Sequence, residues 1–96
     1  MNAVKQVALV TGASRGIGRA IASTLATQGY TVVGTATTDA GAAAVGQALA
    51  DLGGQGVCLN VTDGAAVDAA IEGIVKTHGG LHVLVNNAGI TRDNLA

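Results

Sequence analysis

Short apolar runs alternate with longer amphipathic segments along the whole chain, and this alternation restricts the folds open to it. Four buried strands are predicted at residues 7–10, 30–34, 56–60 and 82–85. Three segments between them carry apolar side chains at helical spacing, at residues 15–28, 39–52 and 63–78. Because the strands are continuous apolar runs joined by short connections, we expect a parallel sheet with helices on both faces. The sequence therefore predicts an α/β fold in the order β-α-β-α-β-α-β.

The end signals and apolar stripes of the three helices predict how each helix begins, ends and packs. Gly29 and Gly79 follow the first and third helical patterns, where glycine commonly ends a helix. Thr62 or Asp63 is expected to cap the third helix, and Asp39 to cap the second. The predicted inner faces comprise Ile17, Ala20, Ile21, Ala22, Leu25 and Ala26 in the first helix, and Val67, Ala70, Ile71, Ile74 and Val75 in the third.

Composition and charge exclude several classes of function. The formal net charge is −1 and the few Lys and Arg residues are scattered, so no basic surface for nucleic acid is expected. No apolar stretch is long enough to span a bilayer, and the short polar segment before the first strand does not resemble a secretory leader. Cys58, the one cysteine, lies in an apolar strand pattern and is predicted to be a reduced core residue. These features predict a cytoplasmic protein that binds neither nucleic acid nor membranes.

Three glycines, Gly12, Gly16 and Gly18, lie between the end of the first strand and the start of the first helix. A helix that starts at the carboxyl edge of a parallel sheet offers unpaired N–H groups and a positive dipole end to an anion. Glycine lets the main chain approach a diphosphate without an intervening Cβ. The spacing is G-x-x-x-G-x-G rather than the common G-x-G-x-x-G, and close helix–strand packing is the alternative explanation. Its position between strand and helix favours a phosphate-binding turn.

Two motifs give this chain a specific resemblance. The stretch T-G-A-S-R-G-I-G at residues 11–18 resembles the cofactor loop of the short-chain dehydrogenase/reductase family, and N-N-A-G at residues 86–89 resembles a second motif of that family. The stretches at 34–38, 59–63 and 86–95 are similar to bacterial 3-oxoacyl-[acyl-carrier-protein] reductases of fatty acid synthesis. The resemblance covers essentially all of residues 1–96 and implies a Rossmann-type, three-layer doubly wound sheet.

The resemblance also implies where a nicotinamide cofactor would bind. An acidic residue at the end of the second strand usually selects NAD, but Ala36 occupies that position here. Arg15 and the hydroxyls of Thr37 and Thr38 could instead hold a 2′-phosphate, which favours NADPH/NADP; Asp39 is the best argument for NAD. The implied cofactor-binding residues are Gly12, Ala13, Ser14, Arg15, Gly16, Ile17, Gly18, Thr37, Asn60, Val61, Asn87, Ala88, Gly89 and Ile90. For the two asparagines, side-chain pairing with main chain in a tight turn is the alternative role.

The resemblance implies chemistry that this sequence does not contain. The family reduces a carbonyl group with a Ser and a Tyr-x-x-x-Lys pair that lie downstream of N-N-A-G, and none of them is present here. Tyr30 is the only tyrosine and has Gly34 four residues later, so no catalytic residue is assigned. His78 and His82 lack a third candidate ligand, so no metal site is predicted. We therefore expect residues 1–96 to be the amino-terminal cofactor-binding portion of a longer reductase, incomplete at its carboxyl terminus and inactive alone.

Several functions remain open at the sequence level. The implied parent reaction is NADPH-dependent reduction of a 3-oxoacyl group on acyl carrier protein, by a homo-oligomer that is tetrameric in this family. Reduction of acetoacetyl-CoA or another short-chain ketone is the alternative within the same enzyme class. A nucleotide-binding module without catalysis, and a fragment that only assembles with its parent, are the alternatives outside it. In the family's strand order, the fourth strand lies at an open edge beside the first.

Overall fold

The computed structural model describes residues 6–14 and 16–87. Within them the chain forms β1 (Val7–Val10), α1 (Gly16–Thr27), β2 (Thr31–Ala36), α2 (Asp39–Ala50), β3 (Gln55–Cys58), α3 (Gly64–His78) and β4 (Val83–Val85). All seven predicted elements are therefore confirmed, in the predicted order. The boundaries of the strands and helices differ from the predicted ones by no more than two residues.

The four strands form one parallel sheet in the order β3-β2-β1-β4. β1 lies in the interior and pairs with β2 on one side, Leu9 opposite Val33, and with β4 on the other, Leu9 opposite Leu84. The chain therefore reverses its direction of travel across the sheet after β3, which is the topology of a doubly wound fold. The predicted α/β class and the predicted pairing of the first strand with the fourth are confirmed.

One face of the sheet is covered closely by α1 and α2. Its core consists of Ala8, Val10, Ala13, Ala22, Ala26, Val32, Val45 and Leu49. Small side chains are required on this face because the two helices lie so close to the sheet. A Cβ at Gly34 would lie 2.6 Å from Val45 Cγ1, and a Cβ at Gly56 would lie 2.7 Å from the main-chain nitrogen of Gly46. Glycines in β2 and β3 therefore set how near α2 comes to the sheet.

The opposite face is covered by α3 and is packed more loosely. Val7, Leu9, Val33 and Ile74 form its buried cluster. A cavity of about 240 Å³ lies between α3 and the sheet. Gly73 contributes no side chain to this space, and a Cβ there would meet no atom within 4 Å. The imidazole of His78 also borders the cavity, and its buried Nε2 has no hydrogen-bond partner in the described part of the chain.

Three predicted inner-face residues are exposed, so the helical stripes were predicted too wide. Ile17 is 73% exposed and Val75 is 43% exposed, and Ala20 is also classed as exposed. Ile17 and Ala20 lie in the first two turns of α1, near the carboxyl edge of the sheet. On α3, Ile74 is the one fully buried residue, with Ile71 packed partly beside it. Helical periodicity finds the apolar side of a helix, but the sheet covers only part of that side.

Cys58 is exposed, so its prediction as a core residue is wrong. It is the last residue of β3, and β3 is an edge strand whose burial is much lower than that of β1. An apolar strand pattern does not reveal which strand lies at an edge, because that depends on the strand order. None of the helices described in residues 6–14 and 16–87 has the length and apolarity needed to cross a membrane.

Candidate functional site

The carboxyl ends of the four parallel strands bring the predicted site residues to one edge of the sheet. Gly12 follows β1, Thr37 follows β2, Asn60 follows β3 and Asn87 follows β4. These positions are far apart in the sequence. They lie at one edge because the strands are parallel and adjacent. In open α/β sheets this edge, at the reversal in strand order, is where ligands bind.

The turn between β1 and α1 is shaped by glycines in the left-handed region. Gly12 and Gly16 both have φ of 64°, a conformation that side-chain-bearing residues rarely adopt. The turn is held to the sheet by Ala13, whose N–H donates to the Thr35 carbonyl at 2.8 Å. α1 begins at Gly16 and has no acidic residue in its first turn. Its first N–H groups and dipole therefore present a positive end with no carboxylate to oppose an anion.

Gly18 joins the two sequence motifs in space. A Cβ at this position would overlap the Gly12 carbonyl oxygen and would lie 2.6 Å from Asn87 Nδ2. Glycine at this position lets Asn87 Nδ2 donate a hydrogen bond to the Gly12 carbonyl at 3.2 Å. The turn after β1 and the segment after β4 are therefore fixed to each other directly above the start of α1. The first glycine of the motif supplies the acceptor, and the last supplies the space.

A second pair of contacts connects the same two segments. Thr11 is 4% exposed, and its hydroxyl donates towards Asn86 Oδ1 at 3.3 Å and the Val85 carbonyl at 3.4 Å. The Thr11 N–H also donates to the Val85 carbonyl, at 3.0 Å. The site residues predicted from sequence included neither Thr11 nor Asn86. The available signal was a polar residue directly after each of two predicted strands, although that signal does not say that the two strands are neighbours.

The end of β2 presents one exposed hydroxyl and one that is used structurally. Ala36 is buried and Thr37 is exposed. Thr38 is the N-cap of α2, because its Oγ1 accepts a hydrogen bond from the Gly41 N–H at 3.0 Å. The prediction of Asp39 as the cap is therefore wrong: Asp39 is the first residue within the helix. Both residue types cap helices well, and the residue directly before the predicted cap is the one that makes the capping hydrogen bond.

Asp39 instead influences the end of the neighbouring strand. Partial desolvation raises the pKa of the Cys58 thiol, and the negative charge and hydrogen-bonding capacity of the Asp39 carboxylate raise this pKa further. A thiol with a raised pKa carries less thiolate at neutral pH and is less nucleophilic. Asp39 also places one negative charge beside the ends of β2 and β3, where the implied cofactor-binding residues Thr37 and Asn60 lie.

The side chain of Asn60 shapes the turn after β3. Its Oδ1 accepts hydrogen bonds from the Thr62 N–H at 3.0 Å and from the Thr62 hydroxyl at 2.7 Å. Val61, between them, is half-buried. Asp63 then caps α3 by accepting from the Ala66 N–H at 3.2 Å, as one of the two predicted caps. This turn leaves Asn60 exposed at the carboxyl edge of the sheet.

The structure brings together ten of the predicted cofactor-binding residues, namely Gly12, Ala13, Ser14, Gly16, Ile17, Gly18, Thr37, Asn60, Val61 and Asn87, at the ends of the strands. Arg15, Ala88, Gly89 and Ile90 lie outside the described residues. Within residues 6–14 and 16–87, no three His, Cys, Asp or Glu side chains are close enough together to hold a metal ion. The side chains of Asn86 and Asn87 are hydrogen-bonded to Thr11 and Gly12, which directly follow β1.

Fold and site together define a class of protein. The sheet is parallel, and its strand order reverses beside β1. A glycine turn lies at that reversal, and the helix that follows has no acidic residue in its first turn. This is the arrangement of dinucleotide-binding α/β domains. The chain belongs to the short chain dehydrogenase family, which it matches over residues 6–96.

Individual relatives are similar over nearly the whole chain. It is 55% identical over 95 residues to the 3-oxoacyl-[acyl-carrier-protein] reductase FabG of Vibrio harveyi, and 56% identical over 95 residues to that of Escherichia coli K12. Each match covers 99% of this chain and 38% of the relative. The FabG protein of Pseudomonas aeruginosa is 50% identical over 92 residues, which cover 94% of this chain and 37% of the relative. The chain therefore spans well under half the length of these relatives.

Proposed function

We propose that this chain binds a nicotinamide dinucleotide at the carboxyl edge of its sheet. The observation that supports the proposal is the close approach of Gly18 to the Gly12 carbonyl and the Asn87 amide, which holds the turn after β1 and the segment after β4 beside the start of α1. The cofactor's diphosphate would lie against the N-terminus of α1. Gly16 is exposed there, and a Cβ at this position would meet no atom within 4 Å. The residues present fit an anionic, extended ligand.

We propose NADP(H) rather than NAD(H) as that dinucleotide. Ala36 occupies the position from which a carboxylate would bind a ribose 2′-hydroxyl and repel a 2′-phosphate. Thr37 is exposed directly after it and can donate its hydroxyl proton to a phosphate oxygen. Thr38 uses its oxygen as the α2 cap, so Thr37 is the better of the two candidates. Arg15 supplies the positive charge in this proposal, on the basis of its sequence position alone.

We further propose that the chain is the amino-terminal, cofactor-binding portion of a reductase that acts on 3-oxoacyl groups carried by acyl carrier protein. Support comes from relatives that bear this name and are 50–56% identical to the chain. When bound, the cofactor supplies hydride. The residues here bind and orient it, and the Ser and Tyr-x-x-x-Lys groups implied by the resemblance would supply the proton from a part of the reductase not represented in these 96 residues. The 96-residue chain alone is therefore expected to be inactive. The tetramer stays a prediction of the resemblance, and the cytoplasmic setting stays a prediction from composition.

A matched pair of glycine variants tests the binding site. Gly16 (φ 64°) and Gly53 (φ 79°) both have a left-handed backbone and no atom within 4 Å of a Cβ, but only Gly16 lies at the site. Gly16→Ala and Gly53→Ala carry a similar backbone strain, roughly 1–2 kcal/mol each. NADPH titration followed by nicotinamide fluorescence is expected to show loss of binding in Gly16→Ala and normal binding in Gly53→Ala. Equal affinity in both variants would contradict the proposed location.

Repeating the titration with NADH tests the proposed preference for NADP(H) separately from the proposed location of the binding site. Tighter binding of NADPH than NADH, with the difference reduced by Thr37→Val, is the expected result. Equal binding of the two cofactors by the wild-type chain would leave the location intact and overturn the preference. Monitoring NADPH oxidation at 340 nm with a 3-oxoacyl-[acyl-carrier-protein] substrate is expected to show no turnover by the 96-residue chain. Measurable turnover would refute the assignment of the proton donor to residues outside it.

A further inference from the structure

The pairing of β1 with β4 is completed at its amino-terminal end by a side chain. β4 is only three residues long, and His82 lies directly before it. The His82 N–H donates to the Val7 carbonyl at 2.9 Å, as a strand residue would. The Val7 N–H in turn donates to His82 Nδ1, also at 2.9 Å. An imidazole nitrogen therefore serves as the acceptor for the first N–H of β1.

This hydrogen bond requires one particular protonation state of His82. Nδ1 can accept a hydrogen bond from the Val7 N–H only while it carries no proton itself, which means a neutral imidazole with its proton on Nε2. In the imidazolium form both ring nitrogens are donors, so Nδ1–H and the Val7 N–H would point at each other. We propose that the Val7–His82 bond is a pH-sensitive latch on the β1–β4 pairing, closed when the imidazole is neutral and opened when it is protonated.

The surroundings of the latch favour opening on protonation. His82 is exposed, so a proton from solvent can reach it, whereas Val7 is 2% exposed and its released N–H has little access to water. In the described chain His82 has no ion pair that would hold the imidazolium in place. The titratable side chains nearest to it in the sequence are Lys76 and His78, both in the last turn of α3, and neither carries a negative charge. On the Nε2 side the neighbour is the main chain of Gly80, where a Cβ would lie 3.4 Å from that atom.

The sign of the pH effect follows from this geometry. Because the bond needs an unprotonated Nδ1, it is present while the imidazole is neutral and is lost when a fall in pH protonates the ring. The loss is local to one end of the pairing. At the other end, the Thr11 N–H to the Val85 carbonyl and the Asn87 amide to the Gly12 carbonyl involve no group that titrates near neutral pH. Acidification therefore loosens the start of β4 while the glycine turn stays attached.

A direct test observes the hydrogen bond itself. In a sample labelled with ¹⁵N, a scalar coupling across the N–H···N bond between Val7 and His82 Nδ1 is expected at pH 7.5 and is expected to disappear at pH 5.0. The protection factor of the Val7 amide against hydrogen exchange should fall about fivefold or more over the same range, relative to the Val33 amide in the interior strand β2. Absence of the coupling at pH 7.5, or its persistence at pH 5.0, would overturn the proposal.

Two variants separate the latch from general acid sensitivity. His82→Asn keeps an acceptor oxygen near the Val7 N–H but does not titrate, so Val7 protection should no longer depend on pH between 5.0 and 7.5. His78→Gln removes the other described histidine and should retain the wild-type pH dependence. A pH dependence that survives in His82→Asn, or vanishes in His78→Gln, would assign the effect to another group. None of these measurements depends on cofactor binding.

Discussion

Replacing Gly18 with alanine tests the central contact of the site. The new Cβ would overlap the Gly12 carbonyl oxygen and lie 2.6 Å from Asn87 Nδ2. The Gly12 carbonyl is main chain in a tight turn and cannot rotate away as a flexible side chain would. The substitution therefore forces α1, the turn or the segment after β4 to move, and the Asn87–Gly12 hydrogen bond is expected to break.

The expected magnitude is a balance of three contributions. Overpacking costs roughly 1–3 kcal/mol, and loss of a hydrogen bond costs about 0.5–1.5 kcal/mol. Alanine offsets part of this, about 0.5–1 kcal/mol, because it is a better helix former than glycine. The free energy of unfolding should therefore fall by about 2 kcal/mol, with Tm lower by roughly 10 °C for a chain of this size.

Gly73→Ala is the matched control for this prediction. Gly73 lies inside α3, and a Cβ there would meet no atom within 4 Å. The same chemical change should therefore raise the free energy of unfolding by about 0.5–1 kcal/mol. Urea unfolding followed by far-UV circular dichroism compares the two variants. If Gly18→Ala unfolds at the same urea concentration as Gly73→Ala, the close contact among α1, Gly12 and Asn87 does not exist.

Three further predictions concern the cap of α2, the Cys58 thiol and the core. Thr38→Ala should lower the free energy of unfolding by about 1 kcal/mol in urea titrations, while Asp39→Ala should change it much less, because the hydroxyl of Thr38 is the group that caps the helix. Asp39→Asn should make Cys58 react faster with iodoacetamide at pH 8, because removing the carboxylate charge lowers the pKa of the thiol; an unchanged rate would argue against contact between these side chains. Leu49→Ala should lower the free energy of unfolding by about 2–5 kcal/mol, because Leu49 is 1% exposed. Leu52→Ala should lower it far less, because Leu52 is 38% exposed. Similar losses in the two variants would contradict the packing of α2 on the sheet.

Much of the architecture was predictable because its signals are local. Apolar runs and helical spacing identified all seven elements, and continuous apolar strands indicated a parallel sheet. The glycines after the first strand indicated a tight turn before α1, and Gly12 and Gly16 have positive φ there, because such a turn needs nothing beyond a few consecutive residues. Each of these features is determined by residues close together in the chain.

The wrong predictions about burial share a different cause. The burial of Cys58 depended on β3 being an edge strand, and the burial of Ile17 depended on how far the sheet extends beneath α1. Neither fact is encoded in the local pattern around those residues. The choice between Thr38 and Asp39 as the α2 cap was local, but two good capping residues stood side by side and only the observed hydrogen bond distinguished them.

The sequence by itself determined the order of the elements, the α/β class and the glycine turn, because these follow from local periodicity and from the backbone freedom of single residues. Only the tertiary structure decided that Asn87 would bind the Gly12 carbonyl, that Thr11 would reach Asn86 and that His82 would accept from Val7. Each of these pairs is separated by 75 residues and forms because β4 lies beside β1. Strand order brings polar groups that are distant in the sequence within 3.5 Å of each other. A local sequence pattern does not show which distant groups will come that close.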